Sequence, residues 1–127
     1  MRLILVRGLP GSGKSTHARS LGILHLEADQ YFMRNGEYKF DPMELGHAHS
    51  WCIDSTEAAL KAGMDVVVAN TFTEAWELKH YIDLAAQYDA DLEIRKMTGQ
   101  YESIHDIPAA AMQRMQDRWE NIEGEKA

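Results

Sequence analysis

The chain has 127 residues, 45% of them hydrophobic, and a formal net charge of −7 at pH 7. This length predicts one domain with a buried core, near the lower size limit for a layered α/β fold. The negative charge argues against a broad electrostatic grip on duplex nucleic acid, but leaves room for a local basic groove. There is no signal-type leader and no apolar run of roughly 18 residues, so we expect neither secretion nor membrane spanning. With one cysteine, Cys52, no internal disulfide can form, and a cytoplasmic location is expected.

The first predicted element is a buried strand at residues 3–6, and a segment of the form Gly-x-x-x-x-Gly-Lys-Ser follows it. Its glycines allow positive φ and a close backbone approach, so that successive N–H groups can point into one anion-sized hollow. The helix-forming run that comes next favours negative charge at its start. Residues 8–15 are therefore predicted to bind the phosphates of a nucleoside triphosphate.

Two side chains of this loop have predicted chemical roles. Lys14 is expected to reach the β- and γ-phosphates, and the Ser15 hydroxyl is expected to ligate Mg²⁺. The predicted cofactors are thus ATP and Mg²⁺. No structural metal is expected, because His47 and His49 point apart on a helix. The complete set of predicted nucleotide-binding residues is Gly8, Leu9, Pro10, Gly11, Ser12, Gly13, Lys14, Ser15 and Thr16.

The second predicted strand, at residues 23–26, is followed by Asp29. Ligands of open α/β sheets lie beyond the carboxyl ends of the strands, so Asp29 is expected to face the γ-phosphate. It is the leading candidate for the general base that takes a proton from an acceptor hydroxyl, and a cap on the following turn is the alternative. An aromatic cluster follows, which either stacks on an acceptor nucleobase or packs the loop onto the sheet: Tyr31, Phe32, Tyr38 and Phe40.

A long helix is predicted next, at residues 42–62, with Asp41 as its N-cap. The third strand, at residues 64–68, leads to Asn70. Many ATPases place a metal-ordering aspartate after this strand, and none is present here. Its absence strengthens the case for Asp29 as the functional carboxylate.

Two helices and one strand complete the predicted elements. They are a helix at 74–88 capped by Thr73, a strand at 92–97 and a helix at 108–122 whose Met112, Met115, Trp119 and Ile122 are expected to pack in the core. This alternation predicts an α/β three-layer fold with a parallel sheet of about four to five strands flanked by helices. One domain is expected over residues 1–122, followed by a frayed polar tail at 123–127.

These motifs resemble the kinase domain of bacteriophage-type polynucleotide 5′-hydroxyl kinases and, more closely, small stand-alone P-loop proteins related to it. The resemblance implies that Lys14 and Ser15 bind nucleotide and metal, and that Asp29 activates the accepting hydroxyl. The matching segments are residues 7–15, 28–32, 36–42, 70–71, 75–77 and 105–108.

Three positions depart from that family's pattern. The arginine that the family has three residues after the aspartate is Phe32 here, and its Asp-Thr-Asn triplet is Asn-Thr-Phe at residues 70–72. The place of its lid arginine falls at Glu102. An arginine at the transferring phosphate can be worth about 10³-fold or more in rate. Arg34 is the predicted substitute, with Arg95, Lys96 and Arg114 as alternatives, and each of them also fits a solvated surface cation.

The sequence favours an ATP-dependent kinase that phosphorylates a hydroxyl, on a nucleic-acid end, a nucleotide or a modified base. Two alternatives stay open. One is a kinase of a sugar nucleotide or another small metabolite. The other is a nucleotide-binding switch or partner protein with little or no catalysis, for which the changed arginine positions and Asn70 argue.

Overall fold

The structure is a computed structural model, and it describes residues 1–101 and 107–126. Two short 3-10 helices, Ala28–Phe32 and Pro42–Glu44, accompany the main elements. In chain order these elements are β1 (Arg2–Arg7), α1 (Lys14–Ser20), β2 (Leu24–Leu26), β3 (Met33–Arg34), β4 (Glu37–Tyr38), α2 (Leu45–Lys61), β5 (Val66–Asn70), α3 (Ala75–Gln87), β6 (Asp91–Lys96) and α4 (Ala109–Asp117). The four strands predicted for the main sheet are present, with boundaries shifted by one or two residues.

The main sheet is parallel, with its four described strands in the order β2-β5-β1-β6. Successive side chains of a strand point to opposite faces, and β1 is apolar on both. Leu3 and Leu5 pack in the larger core with α2 and α3, whereas Ile4 and Val6 pack in the smaller core with Ala18 of α1. The predicted three-layer α/β fold is confirmed.

A small antiparallel hairpin lies outside this sheet. Its strands β3 and β4 pair Met33 with Tyr38, and the turn between them has positive φ at Asn35 (53°) and Gly36 (78°). Two consecutive positive φ angles are typical of the tightest hairpin turns, for which Asn-Gly is the preferred pair. The hairpin carries part of the aromatic cluster to the carboxyl end of β2.

The helix starts agree with the sequence in one case and differ in another. The Asp41 side chain accepts a hydrogen bond from the Met43 backbone N–H at 3.0 Å, which confirms it as a cap, although the first turn is a 3-10 helix. The prediction of Thr73 as the cap of α3 is wrong. Glu74 is the N-cap, and its N–H donates to the Glu77 carboxylate at 2.8 Å, while the Thr73 hydroxyl donates to the same carboxylate at 2.9 Å.

The last helix and the tail also depart from expectation. Helix α4 ends at Asp117, and none of its residues is fully buried. Its methionines and Trp119 are half-buried and lie outside the two core clusters, so their predicted core packing is wrong, whereas Ile122 does pack against the larger core. The predicted fraying of the tail is not seen up to Lys126. The Lys126 N–H donates to the Ile94 carbonyl at 2.8 Å, and the Lys126 carbonyl accepts a hydrogen bond from the Lys96 N–H at 2.6 Å. These bonds lengthen the sheet edge beside β6.

Arg7, at the end of β1, is fully buried. Its guanidinium donates to the backbone carbonyls of Phe72 (2.7 Å) and Glu120 (2.6 Å), and it forms an ion pair with Glu125 at 2.6 Å. The Trp119 ring lies over the guanidinium, with 4.0 Å from the Arg7 Cζ to the ring centroid. One buried cation therefore joins β1, the segment after β5 and the C-terminal segment.

We predict that Arg7→Met will destabilise the protein by about 3–5 kcal/mol, because it removes one partner of a buried charge pair and leaves several carbonyls unpaired. The loss corresponds to a fall in melting temperature of roughly 10 °C or more, measurable by circular dichroism. Arg2→Met is the matched control, since its ion pair with Asp65 is 3.8 Å long and exposed. It is expected to cost at most about 1 kcal/mol. Equal shifts for the two variants would contradict the role given to Arg7.

Candidate active site

The glycine-rich loop runs from the end of β1 to the start of α1. Gly11 and Gly13 have φ angles of 81° and 91°, the left-handed region that favours glycine. A Cβ atom on Gly8 would collide with Ser12 Oγ and lie 3.0 Å from the Met97 carbonyl oxygen, so a larger residue fits only if the Ser12 side chain moves. The Gly8 N–H donates to the Thr71 carbonyl at 3.3 Å, which ties the loop to the segment after β5. The positive φ angles that the sequence predicted for this loop are therefore present at Gly11 and Gly13.

The chemistry of this loop fits a bound phosphate. The Ser12 hydroxyl is buried and has no hydrogen-bond partner among residues 1–101 and 107–126. Buried polar groups normally have a partner, so an unsatisfied hydroxyl in the loop leaves hydrogen-bonding capacity for a ligand. Burial lowers the pKa of Lys14, and the carboxylates of Glu27 and Asp29 oppose that shift. The charges of Glu27 and Asp29 therefore favour the protonated form of Lys14.

Ser15 contacts a carboxylate that the sequence analysis did not select. Its hydroxyl donates to Glu27 Oε1 at 2.9 Å, and Glu27 Oε2 lies 2.5 Å from His25 Nε2. Glu27 follows β2 directly, at the carboxyl end of the sheet. That position was visible in the sequence, but which nearby carboxylate meets Ser15 depends on how α1 packs against β1 and β5. Thr16, the next residue, lies exposed on α1.

Asp29 lies in the first turn of the 3-10 helix that follows Glu27. Its Oδ1 accepts a hydrogen bond from the Tyr38 hydroxyl at 2.6 Å. Partial desolvation of the hydroxyl and its hydrogen bond to Asp29 raise the pKa of Tyr38, so the hydroxyl keeps its proton at neutral pH. A carboxylate in contact with a protonated hydroxyl has the arrangement that a general base needs toward an acceptor.

Asn70, at the end of β5, has a structural role at this edge of the sheet. Its side-chain oxygen accepts from the Ala28 N–H at 2.9 Å, and its NH₂ group lies 3.8 Å from Cys52 Sγ as a donor. Ala28 is the residue between the two carboxylates. Asn70 therefore holds the turn that carries Glu27 and Asp29 against the central sheet.

The candidate arginines lie in different surroundings. Arg34 is in β3 of the hairpin, with its guanidinium 5.6 Å from the centroid of the Tyr31 ring. Arg95 is bound to the Glu93 carboxylate at 2.6 Å, and Lys96 donates to the Asn121 side chain at 3.2 Å. Arg114 is exposed on α4. Glu102, at the expected place of the lid arginine, lies outside the described residues, as do His105 and Asp106.

The segment after β6 folds over the loop and borders a cleft. The N–H groups of Gly99 and Tyr101 donate to the carbonyls of Ser12 (3.2 Å) and Gly11 (2.6 Å). A cleft of about 650 Å³ lies beside them. The spacing of the apolar residues in α4 predicts core packing and gives no local sign of this cleft. Its lining residues are Leu9, Pro10, Gly11, Ser12, Lys96, Met97, Thr98, Gly99, Gln100, Tyr101, Met112, Gln116 and Trp119.

Among residues 1–101 and 107–126, no helix is long and apolar enough to cross a bilayer. The same residues contain no group of three or more His, Cys, Asp or Glu side chains placed to hold a metal ion by themselves.

Known proteins share both sequence and fold with this chain. A family model described as an AAA domain matches residues 3–98. Human NEDD4-binding protein 2 is 41% identical over 93 residues, which cover 68% of this chain but 5% of that protein. A chain in the structure of the Pnkp1/Rnl/Hen1 RNA repair complex has a TM-score of 0.71 and 21% identity. The match covers 92% of this chain and 43% of that one.

A sugar kinase from Janibacter sp. HTCC2649 has a TM-score of 0.68 and 17% identity, and the match covers 100% of this chain and 82% of the kinase. At such identities the two structural likenesses show a shared fold. The chain spans only a small part of the human relative and less than half of the RNA repair chain.

We predict that Gly8→Ala will weaken ATP binding at least about tenfold, because the added Cβ collides with Ser12 Oγ and lies 3.0 Å from the Met97 carbonyl. Titration of a fluorescent ATP analogue measures this loss. Gly46→Ala is the matched control: it lies in α2, has no atom within 4 Å of the added Cβ, and is expected to stabilise the helix by about 0.5–1 kcal/mol. Unchanged affinity in Gly8→Ala would contradict the tight loop geometry.

Proposed function

We propose that this chain, which belongs to the AAA-domain family, is an ATP-dependent phosphotransferase acting on a hydroxyl group. The observation that carries this proposal is the Asp29 carboxylate, which accepts a hydrogen bond from a hydroxyl and attracts the Lys14 cation. A base, a phosphate-binding cation and a glycine loop are the parts that phosphoryl transfer to an alcohol requires.

In the proposed reaction, the backbone N–H groups of residues 8–15 and the Lys14 ammonium hold the β- and γ-phosphates of ATP. Mg²⁺, ligated by the Ser15 hydroxyl, would neutralise charge on these phosphates when bound. Asp29 takes the proton of the acceptor hydroxyl as its oxygen attacks the γ-phosphorus. The bond from the γ-phosphorus to the β–γ bridging oxygen breaks, and ADP leaves. Arg34, on the same hairpin as Tyr38, is the proposed cation for the transferred phosphate.

The nucleobase of ATP is assigned to the cleft between the loop and α4. Met112 and Trp119 supply an apolar and an aromatic surface, and Gln116 supplies an amide. A mostly apolar cleft with a few polar groups suits a planar base.

The proposed acceptor carries a nucleobase, as a nucleic-acid end or a nucleotide does. Tyr38 and Phe40 stack at an interplanar angle of 12°, with their centroids 6.5 Å apart, and both rings are exposed. The Tyr38 hydroxyl is bonded to Asp29, so this aromatic surface adjoins the proposed base. Stacking of one nucleobase on an aromatic side chain is worth about 1–3 kcal/mol. The likeness to a chain of an RNA repair complex supports the same class of acceptor.

We predict that Asp29→Asn will slow phosphoryl transfer by about 10²- to 10⁴-fold, because the amide cannot take the acceptor proton. Its affinity for ATP is expected to stay within about twofold, since the phosphate-binding groups are retained. The assay follows γ-³²P transfer from ATP to 5′-hydroxyl oligonucleotides, nucleosides and sugars. Asp41→Asn, at a helix cap exposed to solvent, is the control. No transfer to any acceptor in this panel would refute the proposed activity.

We predict that Phe40→Ala will raise the KM for a base-bearing acceptor by about tenfold, the effect of losing one stacking surface. The KM for ATP should not change. Met43→Ala is the control, because Met43 is 89% exposed and outside the aromatic cluster. If sugars are phosphorylated well and Phe40→Ala has no effect on them, the acceptor is a small metabolite, as the likeness to a sugar kinase would then indicate.

A further inference from the structure

Glu27 is a second carboxylate near the glycine-rich loop, and its partners differ from those of Asp29. The exposed fraction of its side chain is 15%, and both of its oxygens have partners. Oε1 accepts from the Ser15 hydroxyl at 2.9 Å, and Oε2 contacts His25 Nε2 at 2.5 Å. The backbone next to it is also held, because the Ala28 N–H donates to the Asn70 side chain. Hydrogen bonds therefore hold both the Glu27 carboxylate and the backbone that follows it.

The hydrogen bond from Ser15 to Glu27 determines what the Ser15 oxygen can do. A hydroxyl has one proton to donate and two lone pairs. When its proton is directed at a carboxylate, a lone pair is left for a cation on another side. Small divalent cations such as Mg²⁺ prefer oxygen ligands and are bound with carboxylates and substrate phosphates. The negative charge of Glu27 adds to this preference, and it also attracts Lys14.

Strand β5, next to β2 in the sheet, ends without a carboxylate that could help to bind Mg²⁺. β5 lies between β1 and β2 in the sheet and ends with Ala69 and Asn70. The Asn70 side chain is engaged by Ala28 N–H and Cys52 Sγ. Of the carboxylates in the described residues, Glu27 is the one hydrogen-bonded to Ser15.

We propose that Glu27 is a positioning residue for Mg²⁺: it orients the Ser15 hydroxyl and supplies the negative charge that is absent after β5. This inference rests on the ATP-binding part of the proposed function and not on the identity of the acceptor. It implies opposite effects on two forms of the nucleotide. Glu27 favours ATP that carries Mg²⁺ and repels ATP that does not, since free ATP brings only negative charge.

The test measures the affinity of a fluorescent ATP analogue in excess MgCl₂ and in EDTA. Glu27→Gln is expected to weaken binding in Mg²⁺ by about 10- to 100-fold, the usual loss when a group that orients a metal ligand is removed. Binding in EDTA should be unchanged or tighter. A purely structural role would weaken binding in both conditions alike, and that result would overturn the proposal.

Glu57→Gln is the matched control. The Glu57 carboxylate also accepts a hydrogen bond from a hydroxyl, that of Tyr88 at 2.9 Å, and Glu57 lies on α2 away from the loop. It is expected to leave both affinities unchanged. Glu27→Asp provides a second variant that keeps the charge but shortens the side chain, with a smaller loss of the Mg²⁺ effect. The Mg²⁺ effect is the ratio of the affinity in MgCl₂ to the affinity in EDTA. If this ratio is the same in both Glu27 variants as in the wild-type protein, the proposal fails. If the effect is lost in them but no acceptor is phosphorylated by the wild-type protein, the role of Glu27 stands and the proposed activity fails.

Discussion

The site depends on one buried cation. Arg7 is the last residue of β1 and directly precedes the loop, and a fully buried guanidinium must be paired with acceptors or its desolvation cost is not offset. Its acceptors come from the segment after β5 and from the C-terminal segment, at Phe72, Glu120 and Glu125. These segments are thereby brought to the point where the loop begins. The bond from Gly8 N–H to the Thr71 carbonyl continues the same attachment into the loop.

On this framework, two carboxylates of one turn have different partners. Glu27 contacts Ser15 and His25, whereas Asp29 contacts Tyr38 on the hairpin. The single residue between them is bound to Asn70 at the end of β5. Glu27 and Asp29 are two residues apart and their side chains point in different directions, one toward the loop and one toward the hairpin. The proposed phosphoryl transfer rests on this separation.

Much of the fold could be predicted because its signals are local. Apolar runs, glycine spacing and the Asp41-Pro42 helix start act over a few residues, and they located the strands, the loop and the long helix. The predictions that were wrong concern ends and surfaces. Thr73 has a side chain suited to a cap, but Glu74 and Glu77 satisfy the helix start instead. Nothing local in the tail indicated that Lys126 would bond to β6.

The sequence by itself determined the glycine-rich loop, the α/β order of elements and the presence of a carboxylate after the second strand of the sheet. Only the tertiary structure decided that Glu27 meets Ser15, that Tyr38 meets Asp29 and that α4 borders a cleft beside the loop. The contact between Arg7 and Glu125 joins residues 118 positions apart. Such contacts are set by how helices and strands pack against each other and by the side-chain directions that result, and no local pattern encodes either.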